Sequence, residues 1–120
     1  MGFIHCNRKI HKVFFIYLKV GDKSGNLHLI EISNGILNEV KCVEKLHNGK
    51  IHNIDASKGG IVTCSSDKTV KILHPDISMD TIKTIDEEKY GEVTAVSHWR
   101  GVLAMAHSEE VIRFYDQSEF

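Results

Sequence analysis

Alternating apolar and polar residues, and no spacing of three and four, organise this chain. Runs rich in Val, Ile and Thr are short and bounded by Gly, Asn, Asp and Ser, the pattern of half-buried β-strands separated by tight turns. In the middle of the chain they predict strands at 50–56, 61–65, 69–74 and 81–85, with a turn through Pro75-Asp76 before the last. Further on they predict strands at 92–98, 101–106 and 111–116, and nearer the start at 13–20, 26–32 and 40–46. The expected fold is all-β.

The runs also repeat. Ser65-Ser66-Asp67-Lys68-Thr69-Val70-Lys71-Ile72-Leu73-His74 has one counterpart in Lys23-Ser24-Gly25-Asn26-Leu27-His28-Leu29-Ile30-Glu31. A second is Ser108-Glu109-Glu110-Val111-Ile112-Arg113-Phe114-Tyr115-Asp116. Val70 follows Leu27 by 43 residues, and Ile112 follows Val70 by 42. Gly49, Ile51 and Ile54 correspond at the same 42-residue offset to Gly91, Val93 and Val96. Lys58-Gly59 and Arg100-Gly101 keep that offset too, each suited to a hairpin because Gly takes positive φ freely. A period in the forties is the size of one four-stranded propeller blade. Equivalent positions in stacked units share an environment, so Val70, Ile72, Val111, Ile112, Phe114, Ile51, Ile54, Val93 and Val96 are expected to be buried between sheets.

The succession Leu46-His47-x-Gly49, a Gly-turned hairpin, then Ser65 to His74 closely resembles a WD40 repeat. In that family a Gly-His pair opens the unit and a Trp-Asp pair closes its third strand. Here Leu46-His47 and Leu73-His74 stand at those places, and Tyr115-Asp116 in the third copy is nearest to the signature. The resemblance covers roughly 13–116. It implies a partial β-propeller of about three four-stranded antiparallel blades, the first and last incomplete. The first copy's opening strand is expected near 6–14, a segment that does not keep the Gly-x-Ile/Val pattern, and residues 1–12 are placed outside the repeats. Blade one takes 13–46, blade two 47–88 and a partial blade three 89–120. Closed propellers have roughly four to eight blades. The chain is therefore expected to be a fragment of a longer propeller or to self-associate, and to be poorly soluble or oligomeric by itself.

The resemblance further implies that His47, Asp67 and Thr63 or Ser65 form the family's hydrogen-bonded network, the Asp at the tight turn orienting the His. A buried imidazole needs such an acceptor for its ring N–H. The trio has the residue types of a hydrolase, but triads are defined by geometry, and a structural role is expected. In the third copy Lys89 and Glu109 either pair in place of His47 and Asp67 or face water.

Composition narrows the function. A formal charge of −1 speaks against a general nucleic-acid-binding surface. Arg8, Lys9, Lys12 and Lys19 make a basic start, read as a solvated terminus. The apolar run 13–18 is far too short to span a bilayer, so no integral membrane segment is expected. Cys6, Cys42 and Cys64 form no CxxC and no disulfide framework, which points to a reducing compartment, the cytoplasm or nucleus. The eight histidines show no Cys/His spacing of a closed zinc site, and no glycine-rich phosphate loop occurs. No catalytic residue, metal or cofactor is expected.

The resemblance, with no catalytic or cofactor constellation beside it, implies a non-catalytic protein–protein interaction scaffold within a larger intracellular complex. Loops 22–25, 47–50, 66–68, 86–91 and 108–110 should gather on one rim, with Lys23, Asn48, Lys68, Lys89, Tyr90 and Glu109 as candidate partner contacts. The alternative is a phosphoinositide- or membrane-surface-binding propeller. Trp99-Arg100-Gly101 bears on it, since propellers that bind phosphoinositides use a Phe-Arg-Arg-Gly motif whose paired arginines grip phosphate. This chain offers one of the two arginines.

Overall fold

Three antiparallel sheets follow one another along the chain. The computed structural model describes residues 4–9, 15–56 and 60–116, with side chains described from residue 17 onward. The first sheet holds β1 (Ile4–Lys9), β2 (Phe15–Gly21), β3 (Leu27–Ser33) and β4 (Ile36–Val43) in sequence order. The second holds β5 (Ile51–Asp55), β6 (Ile61–Ser65), β7 (Thr69–Leu73) and β8 (Thr81–Asp86), again in order. The third holds β9 (Val93–Trp99), β10 (Val102–His107) and β11 (Ile112–Asp116). Each sheet is a meander of neighbouring hairpins. Sheets two and three meet through β5, β6 and β9, and sheets one and two through β1, β2 and β5.

Two apolar layers join the sheets. Leu27, Leu29 and Leu46 pack with Ile51, Ile54, Ile61, Leu73 and Met79 between the first and second. Val62, Cys64, Val70, Ile72 and Ile85 pack with Val93, Val96, Leu103 and Met105 between the second and third. Sheet two is covered on both faces, so every residue of β6 is buried. Its continuous apolar reading follows from that, since alternation is expected only where one face meets water. A fully buried Leu or Ile contributes about 2 kcal/mol, which makes these layers the main adhesive between sheets.

Two expectations fail in the burial pattern. Ile112 is 69% exposed and Phe114 is 70% exposed. Their strand alternates, and Tyr115 turns inward to the second layer while Ile112 and Phe114 point to the opposite face. Among the described residues no further sheet covers that face. Val111 is half-buried; Val70, Ile72, Ile51, Ile54, Val93 and Val96 are buried as expected.

Two boundaries also move. Residues 4–9, set outside the repeats by the sequence pattern, pair antiparallel with β2 from Ile4 opposite Val20 to Lys9 opposite Phe15. The first sheet therefore has four strands. Residues 1–3 and 10–14 lie outside the described residues, as does the Lys58-Gly59 hairpin. Strand β4 begins at residue 36 rather than 40, because Asn34 and Gly35 both take positive φ (52° and 75°) and close a two-residue hairpin. Asn-Gly is the sequence pair that suits this turn best.

Candidate functional site

The turn after the second strand of each sheet has one geometry in three copies. Gly25 N–H donates to the Asp22 carbonyl, Lys68 N–H to that of Ser65, and Glu110 N–H to that of His107. The donors all carry positive φ, at 89°, 69° and 61°. They recur at the same 43- and 42-residue intervals as the sequence repeat. A Cβ on Gly25 would lie 2.0 Å from the His47 carbonyl oxygen, so the first turn and the loop entering sheet two touch backbone to backbone.

The second copy encloses His47, whose side chain is 0% exposed. Its Nδ1–H faces Asp67 Oδ2 at 3.1 Å and Thr69 Oγ1 at 3.0 Å, and its Nε2 accepts from the Thr63 hydroxyl at 2.7 Å. Asp67 is held in turn: Thr69 donates to Oδ1 through backbone and hydroxyl, and Asn48 N–H donates to Oδ2. Ser65 Oγ accepts from Asp67 N–H at 3.1 Å. His47, Asp67, Thr63 and Ser65 are thus brought together. Burial pushes the His47 pKa below 6.5 despite the nearby carboxylate. Burial would raise that of Asp67, but hydrogen bonds from Thr69 and Asn48 prevail and lower it. The pair is a neutral imidazole beside a carboxylate, with every partner supplied by the protein.

The third copy reaches a buried charge cluster by a different route. Lys89 and Glu109, expected either to pair or to face water, are both exposed and make no ion pair with each other among the described residues. Instead Glu87, 2% exposed, lies just ahead of a single 3₁₀ turn at Glu88–Tyr90. Its Oε1 is 3.1 Å from His107 Nε2 and accepts from Arg113 Nε at 2.8 Å. Arg113 stacks over the Tyr90 ring at 3.9 Å, and Tyr90 meets His107 edge-on at 5.9 Å. Sequence reasoning missed this cluster because the acid moved from the turn to the preceding loop. Arg113, a polar interruption in an apolar strand, was the available signal.

In the first copy Asp22, Asn26 and His28 form a more open group. Asp22 accepts from Ser24 N–H, Asn26 N–H and Asn26 Nδ2, which completes its turn. His28 Nε2 donates to Asp22 Oδ2 at 2.8 Å, and its Nδ1 contacts Glu39 Oε1. Hydrogen bonds to Asp22 and Glu39 raise the His28 pKa above 6.5, while burial opposes them. Burial acts upward on the Asp22 carboxyl, but hydrogen bonds from His28 and the turn bring it down to about 2.

Backbone bonds link these turns to the loops between sheets. His47 N–H donates to Gly25 O and Ile51 N–H to Asp22 O. Ser66 N–H donates to Lys50 O, Glu87 N–H to Lys68 O and Ser108 N–H to Glu92 O. The five loops form one row. Along it Lys23, Asn48, Lys89 and Glu109 are exposed, while Lys68 and Tyr90 are half-buried. At the other end of the strands, Arg100 lies 5.3 Å from the exposed Trp99 ring at the β9–β10 hairpin tip.

These three sheets make a partial β-propeller. The computationally designed Ika4 protein is similar in structure, with a TM-score of 0.69 at 18% identity over 91% of this chain and 63% of that one. The WD40 β-propeller domain of Doa1 is similar at a TM-score of 0.60 and 18% identity, over 92% of this chain and 35% of that one. The designed Ika8 protein is similar at 0.62 and 14% identity, over 91% and 32%. This chain therefore spans less than two thirds of each. No protein-family model matches it, and no curated protein sequence matches it. Among the described residues no helix is long and apolar enough to cross a membrane.

Proposed function

We propose that this chain is a WD40-like propeller segment that serves as a non-catalytic protein–protein interaction scaffold inside the cell, in the cytoplasm or nucleus. The reading rests on one observation, the row of five loops pinned to one another by backbone hydrogen bonds. Pinned loops hold Lys23, Asn48, Lys89 and Glu109 at fixed spacing, and a preorganised surface binds with less ordering cost. The His47–Asp67–Thr63 geometry and the likeness to the Doa1 domain support the WD40 relationship. The unpaired thiols of Cys42 and Cys64 support a reducing compartment. His47 and His107 spend their ring nitrogens on buried protein partners, which supports structural over catalytic roles.

The test is site-specific photocrosslinking in cells. A photoreactive residue at Asn48 or Lys89 should capture proteins, and the same residue at Ile77, exposed at the opposite end of the strands, should not. Capture from Ile77 alone would overturn the rim assignment. Sedimentation with phosphoinositide vesicles that is lost in Arg100→Glu would instead establish the membrane-surface alternative.

A further inference from the structure

We propose that the outer strands of the first sheet carry a zinc-class metal site built from His28, Glu39 and Cys42, with Asp22 positioning the histidine. One ligand atom from each of the three lies within 4.8 Å of the others. They come from two neighbouring strands, and strand geometry explains how they converge. His28 sits directly opposite Cys42 in the β3–β4 register. Glu39 and Cys42 are three apart, and in a regular strand they would point to opposite faces. A bulge between Leu29 and Ile30, where β4 carries one extra residue opposite β3, restores them to one side. Bulges commonly re-aim a side chain in this way.

The chemistry fits a borderline-soft divalent ion. Imidazole, thiolate and carboxylate are the zinc ligand types, whereas calcium and magnesium take oxygen alone. Such an ion sets tetrahedral ligand atoms roughly 3.5 Å apart, so closure asks about an ångström of movement from side chains that are half-buried or exposed. Three protein ligands leave the fourth position to water. The second nitrogen of His28 is already occupied in the manner a ligating histidine requires. Nε2–H is directed at Asp22 Oδ2, and Asp22 is itself fixed by Ser24 and Asn26. A carboxylate on the far ring nitrogen fixes the ring orientation and raises the ligand's basicity. That leaves Nδ1, beside Glu39 and Cys42, to face the ion. Binding releases the Nδ1 proton of His28 and the thiol proton of Cys42 to solvent. Without an ion, burial and the neighbouring carboxylates push the Cys42 thiol up, so it is held protonated. The ion's own charge inverts that balance.

Cobalt(II), a spectroscopic substitute for zinc, tests this on the full chain. The expected result is one equivalent bound with a near-ultraviolet thiolate-to-cobalt charge-transfer band, bleached when zinc is added. Cys42→Ser should abolish the band and Cys6→Ser should leave it. His28→Ala should weaken binding at least about tenfold, and Asp22→Asn about tenfold through orientation alone. Glu39→Gln changes an exposed side chain and leaves strand pairing intact, so its weaker binding cannot be put down to misfolding. No band at saturating cobalt, a band that survives Cys42→Ser, or affinity unchanged from the parent in His28→Ala and Glu39→Gln would overturn the proposal.

Discussion

The turns after β2 and β6 share a backbone and differ in how they use a histidine. Both place the positive-φ residue, Gly25 or Lys68, at the same point and close with the same hydrogen bond. In the second sheet the acid is Asp67 and the histidine arrives from the loop before the sheet, sealed between β6 and the turn. In the first sheet the acid is Asp22, two residues earlier in the turn, and the histidine sits on β3 itself with 26% of its side chain exposed. A sealed imidazole is driven neutral, and an open one between two carboxylates is driven charged. The backbone is repeated faithfully, while the side-chain chemistry on it is free to change sign.

The largest test of that contrast lies in the third copy, which buries an acid by another route. Glu87→Ala would leave His107 and Arg113 without their shared carboxylate, and stripping one member from a buried charged group costs about 3 kcal/mol. Chemical denaturation should show that loss. A change under about 1 kcal/mol would mean that the cluster is not a structural equivalent of the His47 network. Next is Asp67→Ala, expected to cost about 2 kcal/mol because it strips the carboxylate from a buried imidazole, leaving Thr69 Oγ1 as the acceptor at Nδ1, and frees the Asn48 and Thr69 amides. The same measurement on Asp22→Ala should give about 1 kcal/mol or less, since water can replace the carboxylate at a half-exposed histidine. Equal losses at 22 and 67 would break the distinction between sealed and open turns.

The smallest effect is a pH dependence of opposite sign at the two histidines. His47 has its folded pKa lowered, so the unfolded chain binds the extra proton and stability falls as pH drops through 6.5. His28 has its folded pKa raised, so its contribution is complete below 6.5 and is lost as pH rises through the folded value. In the intact protein these oppose each other. The urea midpoint of His28→Asn should therefore fall more steeply than that of the parent between about pH 7.5 and 5.5. Parallel profiles would show that His28 does not titrate with folding.

The sheets were legible because apolar alternation and turn residues act locally. Positions 65–69 repeat at a fixed interval, and the structure gives that interval back as a repeated hydrogen bond. Strand β1 was not legible, since 4–9 lacks the Gly-x-Ile/Val pattern and is recognised only by its pairing with β2. The Asn34-Gly35 hairpin was written plainly, yet the apolar run at 40–46 drew the strand boundary past it. Of the site, His47 with Asp67 could be read because the stretch from Leu46 to His74 resembles a WD40 repeat, not because either residue recurs in this chain. Glu87 could not, because nothing in a linear string says that an acid on one loop has taken over from one on another. His28, Glu39 and Cys42 escaped for a geometric reason: their convergence depends on a single bulge that shifts residue parity.

The row of backbone bonds along the rim has a bearing on how the molecule comes apart. Each loop is tied to the one beside it in chain order, so order spreads by neighbours alone, as in a one-dimensional lattice. The middle sheet has support on both sides. Among the described residues the third has support on one, and its outward face presents Ile112 and Phe114 to water. Amide protons of β10 and β11 should then exchange sooner than those of β6, through an opening that peels the third sheet away and stops at the second sheet. Such a partial opening bares β7 and Val70 while His47's turn, held within the second sheet and tied to the first, stays closed.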